Sequence, residues 1–421
     1  ISYRNIMFSN LKHIVSLFIL LVTCQPNLSG QFGQLDLRIS GNQRRVEIPF
    51  RFENNFIVVP VLIQNLIPVN FIIDTGAEHT IILDRTLTDI ISANYQREFQ
   101  IVGSDLSTTI TALLAVGIDM QVGDNLLARN RSVLVLTDHD LNFEGLTGLP
   151  IAGIIGGDFL MRFVMEIDYR KKVLKLHDPS SFKRPPRRFK ELPSHFERNR
   201  PYLDTEINIS NNQSVSKRLL MDSGASLSLL LFFQPAENLE LPDTTILSPI
   251  ANGLGGQLLG TVGRARNLKI GEYEMGGMIM FFQDLPEYLD SLDIKRDGLI
   301  GNRALSRYHI YIDYPRRLVY AQSVGRWPNK FPYDRSGLTI SAGGPNLNRY
   351  QIINVVPGSP ADEAGLKAGD FIRRLNGTPG GLLTLNGINK KLEGKTGKRI
   401  RILAERSGYS FRVEFRLRDI I

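Results

Sequence analysis

Two stretches of this sequence decide the fold, and they read almost alike. Residues 71–83 read FIIDTGAEHTIIL, and residues 219–231 read LLMDSGASLSLLL. In each stretch an apolar run leads to Asp, a hydroxyl residue, Gly and Ala, and a second apolar run follows. Asp222 of the second stretch stands 148 residues after Asp74 of the first. Because similarity at a fixed offset indicates repeated structural units, the chain is predicted to contain an internal duplication.

A second marker recurs at nearly the same spacing. Residues 153–160 read GIIGGDFL, and residues 298–305 read GLIGNRAL. Each is followed by an alternating strand, Asp-Tyr, a basic turn and another strand, which is typical of a β-hairpin. The sequence therefore predicts two related, mainly β lobes. They are placed at residues 34–179 and 192–322, joined by a basic, Pro-rich linker at 180–191.

The repeated Asp residues are the strongest candidates for chemistry. A single Asp-Thr-Gly is more often only a structural turn, but a second copy in a related lobe changes that balance. A pseudo-twofold axis between the lobes would bring Asp74 and Asp222 to one point. Two neighbouring carboxylates share one proton, because both cannot easily be ionised. The ionised member can then activate a water while the protonated member polarises a carbonyl.

The neighbours of each Asp suit such a site. Gly76 and Gly224 allow tight turns and the close approach of another backbone. Thr75 and Ser223 carry hydroxyls that can form hydrogen bonds across a lobe interface.

These motifs together resemble those of retropepsin-like aspartic proteases, and the second marker is especially similar to that of bacterial members. The resemblance covers residues 34–322 and implies two pseudo-twofold-related β-barrel lobes. It implies a catalytic dyad of Asp74 and Asp222, with Gly156 and Gly301 packed behind the catalytic loops. Duplication within one chain implies a monomeric active site. The resemblance implies a protein or peptide substrate and no metal or organic cofactor. The Arg that often follows the apolar-Gly motif in the family is absent, a departure that concerns loop support and not the dyad.

The family also closes a β-hairpin flap over its substrate. Gly253, Gly255 and Gly256 fit that role in the second lobe, although ordinary hairpin turns are an equal alternative. The equivalent stretch of the first lobe, residues 102–111, has fewer glycines, so the resemblance implies unequal flaps.

The C-terminal part has a different character. Residues 352–377 resemble PDZ domains, particularly the bacterial type found on exported proteases. The match extends over residues 333–417, and the domain is placed at residues 333–421. In such domains a peptide adds a strand, and backbone N–H groups hold its terminal carboxylate. The resemblance places that loop at Gly337, Leu338, Thr339 and Ile340, with a flanking helix near residues 383–392. A peptide C terminus is the implied partner. The alternative is a blocked groove, or one that serves only to dock onto the protease lobes.

Other chemistries find little support. The net charge is +8, but no basic stripe with interleaved aromatics occurs, so nucleic-acid binding is not expected. The histidines show no metal-ligand spacing, so no metal site is predicted. Ser223 and Ser226 lack a His arrangement that would support a serine nucleophile.

The N-terminal residues indicate export. Arg4 and Lys12 precede an apolar run, residues 14–24, that is too short to span a bilayer. Residues 1–30 are therefore interpreted as a secretory signal peptide, and the protein is expected to be periplasmic or secreted. Lipid anchoring through Cys24, the single cysteine, is the alternative to a free protein.

The leading hypothesis is an aspartic endopeptidase whose PDZ domain assists substrate or partner binding. A catalytically silent peptide-binding or adaptor protein is the alternative. A precursor that cleaves its own linker is a third interpretation.

Overall fold

The computed structural model describes residues 36–41, 43–102, 109–137, 142–210, 213–233, 239–253, 256–284, 297–325 and 331–421. Within them the chain is mainly β, which confirms the predicted fold class. The predicted signal peptide, Cys24 and Gly255 lie outside the described residues. No helix in the described part of the chain is long and apolar enough to cross a membrane.

The first lobe is built almost entirely of strands. They are β1 (Asp36–Ile39), β2 (Arg45–Pro49), β3 (Arg51–Glu53), β4 (Phe56–Ile63), β5 (Ile67–Ile73), β6 (Ile81–Ile82), β7 (Asn94–Val102), β8 (Thr109–Val122), β9 (Leu126–Leu136), β10 (Gly153–Ile155), β11 (Val164–Asp168) and β12 (Val173–His177). The short helices are α1 (Arg85–Ile90), α2 (Phe143–Thr147) and α3 (Gly157–Leu160).

One sheet of this lobe positions the first Asp loop. Its strand order is β1-β9-β6-β10-β5-β4-β8-β7, with β3 paired to β4. Strand β10 lies between β5, to which it is parallel, and β6, to which it is antiparallel. The chain leaves β5 directly into the Asp74 loop, so the end of β10 lies beside that loop.

The second lobe repeats this pairing pattern. Its strands are β13 (Lys190–Leu192), β14 (Ser194–Glu197), β15 (Arg200–Asn208), β16 (Ser214–Asp222), β17 (Leu229–Phe233), β18 (Thr245–Gly253), β19 (Gly256–Ile270), β20 (Tyr273–Asp284), β21 (Gly298–Gly301), β22 (Tyr308–Asp313) and β23 (Leu318–Ser323), with helix α4 at Asn302–Leu305. The sheet order is β14-β15-β16-β21-β17-β20-β19-β18. Strand β21 is parallel to β16 and antiparallel to β17, and Asp222 ends β16 opposite Gly301.

A third sheet joins the lobes. Its order is β13-β23-β22-β11-β12-β2, and its centre is the antiparallel pair β11 and β22, from Val164 opposite Asp313 to Asp168 opposite His309. Strand β13 begins at Lys190, inside the segment that the sequence predicts as linker. The predicted boundaries of the signal peptide, lobes, linker and PDZ domain stay predictions.

One buried carboxylate of this shared sheet, Glu166, has partners from both lobes. Its carboxylate binds Lys175 Nζ at 3.0 Å, His177 Nε2 at 3.0 Å and, across the lobe interface, His309 Nε2 at 2.9 Å. A buried carboxylate without such partners would be costly, so this cluster stabilises the junction.

The C-terminal residues form a separate sheet with its own apolar core. Its strands are β24 (Leu338–Gly343), β25 (Arg349–Val355), β26 (Phe371–Leu375), β27 (Thr378–Pro379), β28 (Arg399–Arg406) and β29 (Tyr409–Arg416). Helices α5 (Pro360–Glu363) and α6 (Leu385–Leu392) and a 3-10 turn (Gly380–Leu382) accompany them. Strand β24 lies at the edge of the sheet. Ser359 caps α5 and Pro360 occupies its first position, two residue types that favour the start of a helix.

Candidate active site

Two loops, one from each lobe, meet at the candidate site. The amide of Asp74 donates to Ile155 O at 3.0 Å, which ties the first loop to the end of β10. Thr75 and Ser223, which follow the two Asp residues, form hydrogen bonds with each other. Thr75 and Ser223 are 0% and 1% exposed, so this junction is dry.

The bonds between the loops are reciprocal. Thr75 N donates to Ser223 Oγ at 3.0 Å, and Ser223 N donates to Thr75 Oγ1 at 3.0 Å. Each hydroxyl then donates to the strand before the opposite loop: Thr75 to Met221 O at 2.5 Å and Ser223 to Ile73 O at 2.7 Å. The structure therefore brings Thr75 and Ser223 together in a network of hydrogen bonds that fixes one loop against the other.

The two carboxyl groups face each other across this junction. A Cβ atom at Gly76 would lie 2.8 Å from Asp222 Cγ, and one at Gly224 would lie 2.3 Å from Asp74 Cγ. Both distances are too short for a side chain, so only glycine lets each carboxyl group sit on the opposite loop. Asp74 also forms a side-chain hydrogen bond with Asp222.

This environment favours a protonated carboxyl. Burial, followed by the negative charge of Asp222, raises the pKa of Asp74 well above its ordinary value. The amides of Gly76 and Ala77 donate to Asp74 Oδ1 at 2.7 and 3.1 Å and act in the opposite direction, but they do not overcome burial. Gly224 N donates to Asp222 Oδ1 at 2.8 Å in the same way. The pair is therefore built to retain one shared proton.

The predicted glycines behind the loops make close backbone contacts. A Cβ at Gly156 would lie 2.5 Å from His79 O, and one at Gly301 would lie 2.4 Å from Leu227 O. Both positions thus accommodate only glycine, and they place the second marker directly behind the Asp loops.

The residue after Gly301 supports the second loop, and sequence reasoning missed its role. Asn302 is fully buried, and its Nδ2 donates to Ser223 O at 2.5 Å. Its Oδ1 accepts from Tyr169 Oη of the first lobe at 2.6 Å. The sequence feature that could have indicated this role is the absence of the family's Arg after Gly301, because another buried polar side chain at position 302 can take its place.

The first lobe uses a different arrangement. The corresponding position is Gly157, and the next residue, Asp158, binds Thr80 Oγ1 at 2.8 Å and the buried Arg131 at 3.0 Å. These bonds hold the segment after Gly156 to the neighbouring strands.

Two of the three predicted flap residues, Gly253 and Gly256, lie at a hairpin end. Gly253 ends β18, Gly256 begins β19, and the two are paired. In the first lobe Val102 and Thr109 are paired at the end of the β7–β8 hairpin. A flap role for these hairpins stays a prediction.

The predicted peptide-binding residues of the PDZ domain lie at the start of the edge strand β24, and their binding role stays a prediction. Gly337 precedes β24, and Leu338, Thr339 and Ile340 begin it. Asp334 Oδ1 accepts from the amides of Gly337 at 2.6 Å and Leu338 at 3.2 Å. Among the described residues no group of three or more His, Cys, Asp or Glu side chains could hold a metal ion.

Comparison with known families supports two separate assignments. Residues 59–159, which include Asp74 and Gly156, match a family model described as aspartyl protease. Residues 351–406 match the model of the PDZ domain. No curated protein matches the chain. The chain therefore contains an aspartyl protease domain followed by a C-terminal PDZ domain.

Proposed function

We propose that this protein is an aspartic endopeptidase with Asp74 and Asp222 as its catalytic dyad. The observation that carries the proposal is the pair of facing carboxyl groups, each resting on the glycine of the opposite loop. The reciprocal Thr75–Ser223 bonds support it, because they fix the relative position of the two carboxyls before any substrate arrives.

The dyad would act on a water between the carboxyls. The ionised carboxylate takes a proton from the water as its oxygen attacks the scissile carbonyl carbon. The protonated carboxyl donates to the carbonyl oxygen and stabilises the charge that develops there. Transfer of a proton to the leaving amine then allows the C–N bond to break. A single chain supplies both carboxyls, so the site is proposed to be monomeric.

The experiment is cleavage of an unfolded protein mixture by the chain without its N-terminal 30 residues, from about pH 3 to about pH 8. Wild type is compared with Asp74→Asn and Asp222→Asn. Cleavage by the wild type and none by either variant would support the dyad. Full activity in either variant would refute it.

A silent peptide-binding protein is the competing function. It predicts that the unfolded mixture is bound but never cut, and that both Asn variants bind as well as the wild type. Intact substrate after long incubation at every pH would favour it. Mass spectrometry of the same chain tests the self-processing interpretation, which requires a cut in residues 180–191.

We further propose that the PDZ domain assists substrate or partner binding and that the protein is exported. Removing residues 332–421 should change the cleavage pattern or rate, and an unchanged pattern would contradict that role. Fractionation of expressing bacteria tests export, and retention in the cytoplasm would count against it. Radiolabelled palmitate tests lipid attachment at Cys24, with Cys24→Ser as the control.

A further inference from the structure

Helix α6 of the PDZ domain, with the residue that follows it, contacts both protease lobes. The three contacts are Asn386 Nδ2 to Glu53 Oε2 at 3.2 Å, Asn389 Nδ2 to Asn54 Oδ1 at 3.1 Å, and Arg303 to Glu393 Oε1, one residue past the helix, at 2.8 Å. The first two reach the first lobe and the third reaches the second lobe. Helix α6 therefore bridges the lobes.

The edge strand of the PDZ sheet is covered by the first lobe. Asn142 Nδ2, at the start of α2, donates to Ser341 Oγ in β24 at 3.1 Å. A Cβ at Gly145 would lie 2.3 Å from the same Oγ, and one at Gly148 would lie 3.4 Å from Leu385 Cβ in α6. Helix α2 thus lies against β24 beside the first turn of α6, where a PDZ domain would receive a peptide.

The burial of Ser341 shows the same contact. Its neighbours Ile340 and Ala342 belong to the PDZ core, so its side chain points to the opposite face of the strand. It is nevertheless only 6% exposed. Because Asn142 and Gly145 of the first lobe lie against the Ser341 hydroxyl on that face, the first lobe buries this side chain.

Asn54 connects α2 to the PDZ domain. Its Nδ2 donates to Leu146 O of α2 at 2.9 Å while its Oδ1 accepts from Asn389. It stands in a hairpin turn with φ of 47°, where glycine can replace it without backbone strain.

The loop whose amides would bind the C-terminal carboxylate of a peptide already binds the carboxylate of Asp334. Asp334 Oδ1 accepts from the amides of Ser336, Gly337 and Leu338 at 2.9, 2.6 and 3.2 Å. Burial raises the pKa of Asp334 to about 6, and these hydrogen bonds oppose that rise. These amides therefore already have an intramolecular acceptor.

We propose that this PDZ domain takes its own protease lobes as its ligand. Helix α2 covers β24 beside the first turn of α6, Asp334 occupies the carboxylate loop, and α6 braces the two lobes. Docking also reaches the segments behind the dyad, since α2 leads to β10 and Gly156, and Arg303 follows Asn302. In this state the domain helps the reaction by holding the lobes, and it assists substrate or partner binding only when α2 and Asp334 leave the groove.

Thiol labelling tests the docking without a substrate. In a Cys24→Ser background, Ser341→Cys places a thiol under α2, and Tyr409→Cys places a control thiol at a site that is 81% exposed. With Ellman's reagent the Ser341→Cys thiol should react roughly 100-fold more slowly than the control thiol, as expected of a group that must open to react. Equal rates would overturn the proposal.

Loosening the contact provides a matched comparison. Asn54→Gly combined with Asn389→Ala removes the side-chain bond between α6 and the turn and the bond from Asn54 to α2, and it leaves the bond between Asn386 and Glu53 in place. Labelling of the Ser341→Cys thiol should then accelerate by about tenfold, while the Tyr409→Cys control stays the same. If labelling did not accelerate, docking of α6 would not be the cause of the protection.

The bracing effect rests on the proposed peptidase and has its own readout. A bulky maleimide attached to the Ser341→Cys thiol would hold the domain away from α2, and the cleavage rate should fall. The same adduct on Tyr409→Cys should leave the rate unchanged. An unchanged or faster rate after labelling at position 341 would overturn the brace. Thiol protection in a chain with no cleavage would preserve the docking and reject only the peptidase.

Discussion

Replacing Ser223 by alanine tests whether the bonds between the loops hold the dyad together. The hydroxyl accepts from Thr75 N at 3.0 Å and donates to Ile73 O at 2.7 Å, and both loops are buried at this point. Alanine would therefore leave one amide and one carbonyl of the first lobe without these partners.

The expected loss of stability follows from those two groups. A buried donor or acceptor left unsatisfied costs about 1–3 kcal/mol. A carbonyl has a second lone pair and tolerates the loss better than an amide. We therefore expect the free energy of unfolding to fall by about 2–4 kcal/mol, and the cleavage rate to fall at least about tenfold because the carboxyls lose their fixed separation.

The assay is urea unfolding at pH 7, combined with cleavage of an unfolded substrate under conditions where the variant is still folded. Ser223→Thr is the matched control, because the first lobe already carries a Thr hydroxyl at the equivalent position. Loss of less than about 1 kcal/mol with full activity in Ser223→Ala would refute the reasoning. Equal losses in Ser223→Thr and Ser223→Ala would show that the hydroxyl is not the cause.

Three further predictions concern the dyad, its support and the shared sheet. Asp74→Asn should abolish cleavage yet unfold at higher urea than the wild type at pH 7. Because the pKa of Asp74 is raised in the folded protein, Asp74 stabilises the wild type most at low pH and less as the pH rises. The higher stability of Asp74→Asn should therefore vanish near pH 3. If Asp74→Asn were less stable than the wild type at pH 7, this reasoning would be contradicted. Asn302→Asp keeps the shape but removes the donor to Ser223 O, so the cleavage rate should fall about 10- to 100-fold while Asn302→Gln loses less; equal rates would exclude a role for the amide. Burial opposes ionisation of Glu166, but hydrogen bonds from His177, His309 and Lys175 outweigh it and hold the pKa of Glu166 far below its ordinary value. This contribution to stability is present above about pH 4.5 and is lost as pH falls, so Glu166→Gln should destabilise the protein at pH 7 and by less at pH 3, as thermal unfolding would show.

Local sequence was sufficient for the features that depend on a few neighbouring residues. Asp-Thr/Ser-Gly after an apolar run predicts a tight loop at the end of a buried strand, and the structure has both loops there. Apolar-apolar-Gly predicts a position where no side chain fits, and Gly156 and Gly301 are such positions. Ser359 followed by Pro360 predicts a helix start for the same local reason.

The features that the sequence did not reveal join distant residues with ordinary identities. Asn302 and Tyr169 are 133 residues apart, and nothing in either neighbourhood marks them as partners. The PDZ docking depends on Asn54, Asn386 and Asn389, which a sequence presents as common turn and helix-surface residues. Glu166 looks like one charge in an alternating strand until β22 of the other lobe supplies His309.

The two Asp loops are similar in sequence, yet different side chains stabilise them from behind. The packing around each loop enforces this difference. Tyr169 and Tyr314 occupy equivalent places after the Asp of each shared-sheet strand. Tyr169 finds Asn302, whereas the buried hydroxyl of Tyr314 has no hydrogen-bond partner among the described residues. Burial, and to a lesser degree the charge of Asp74, raises the pKa of Tyr314, so it stays a neutral group near the first carboxyl.

An asparagine in the first lobe cannot restore the symmetry. A Cβ at Gly157 would lie 2.9 Å from the carbonyl oxygen of Asn199, in the turn between β14 and β15. That turn comes from the second lobe, and its first-lobe counterpart, the turn at Asn54, contacts the PDZ domain instead. The equivalent hairpins of the two lobes therefore make different contacts. The close approach of Asn199 to Gly157 keeps the environments of Asp74 and Asp222 unequal. Unequal environments are what allow two carboxyls that share one proton to take different roles in one reaction.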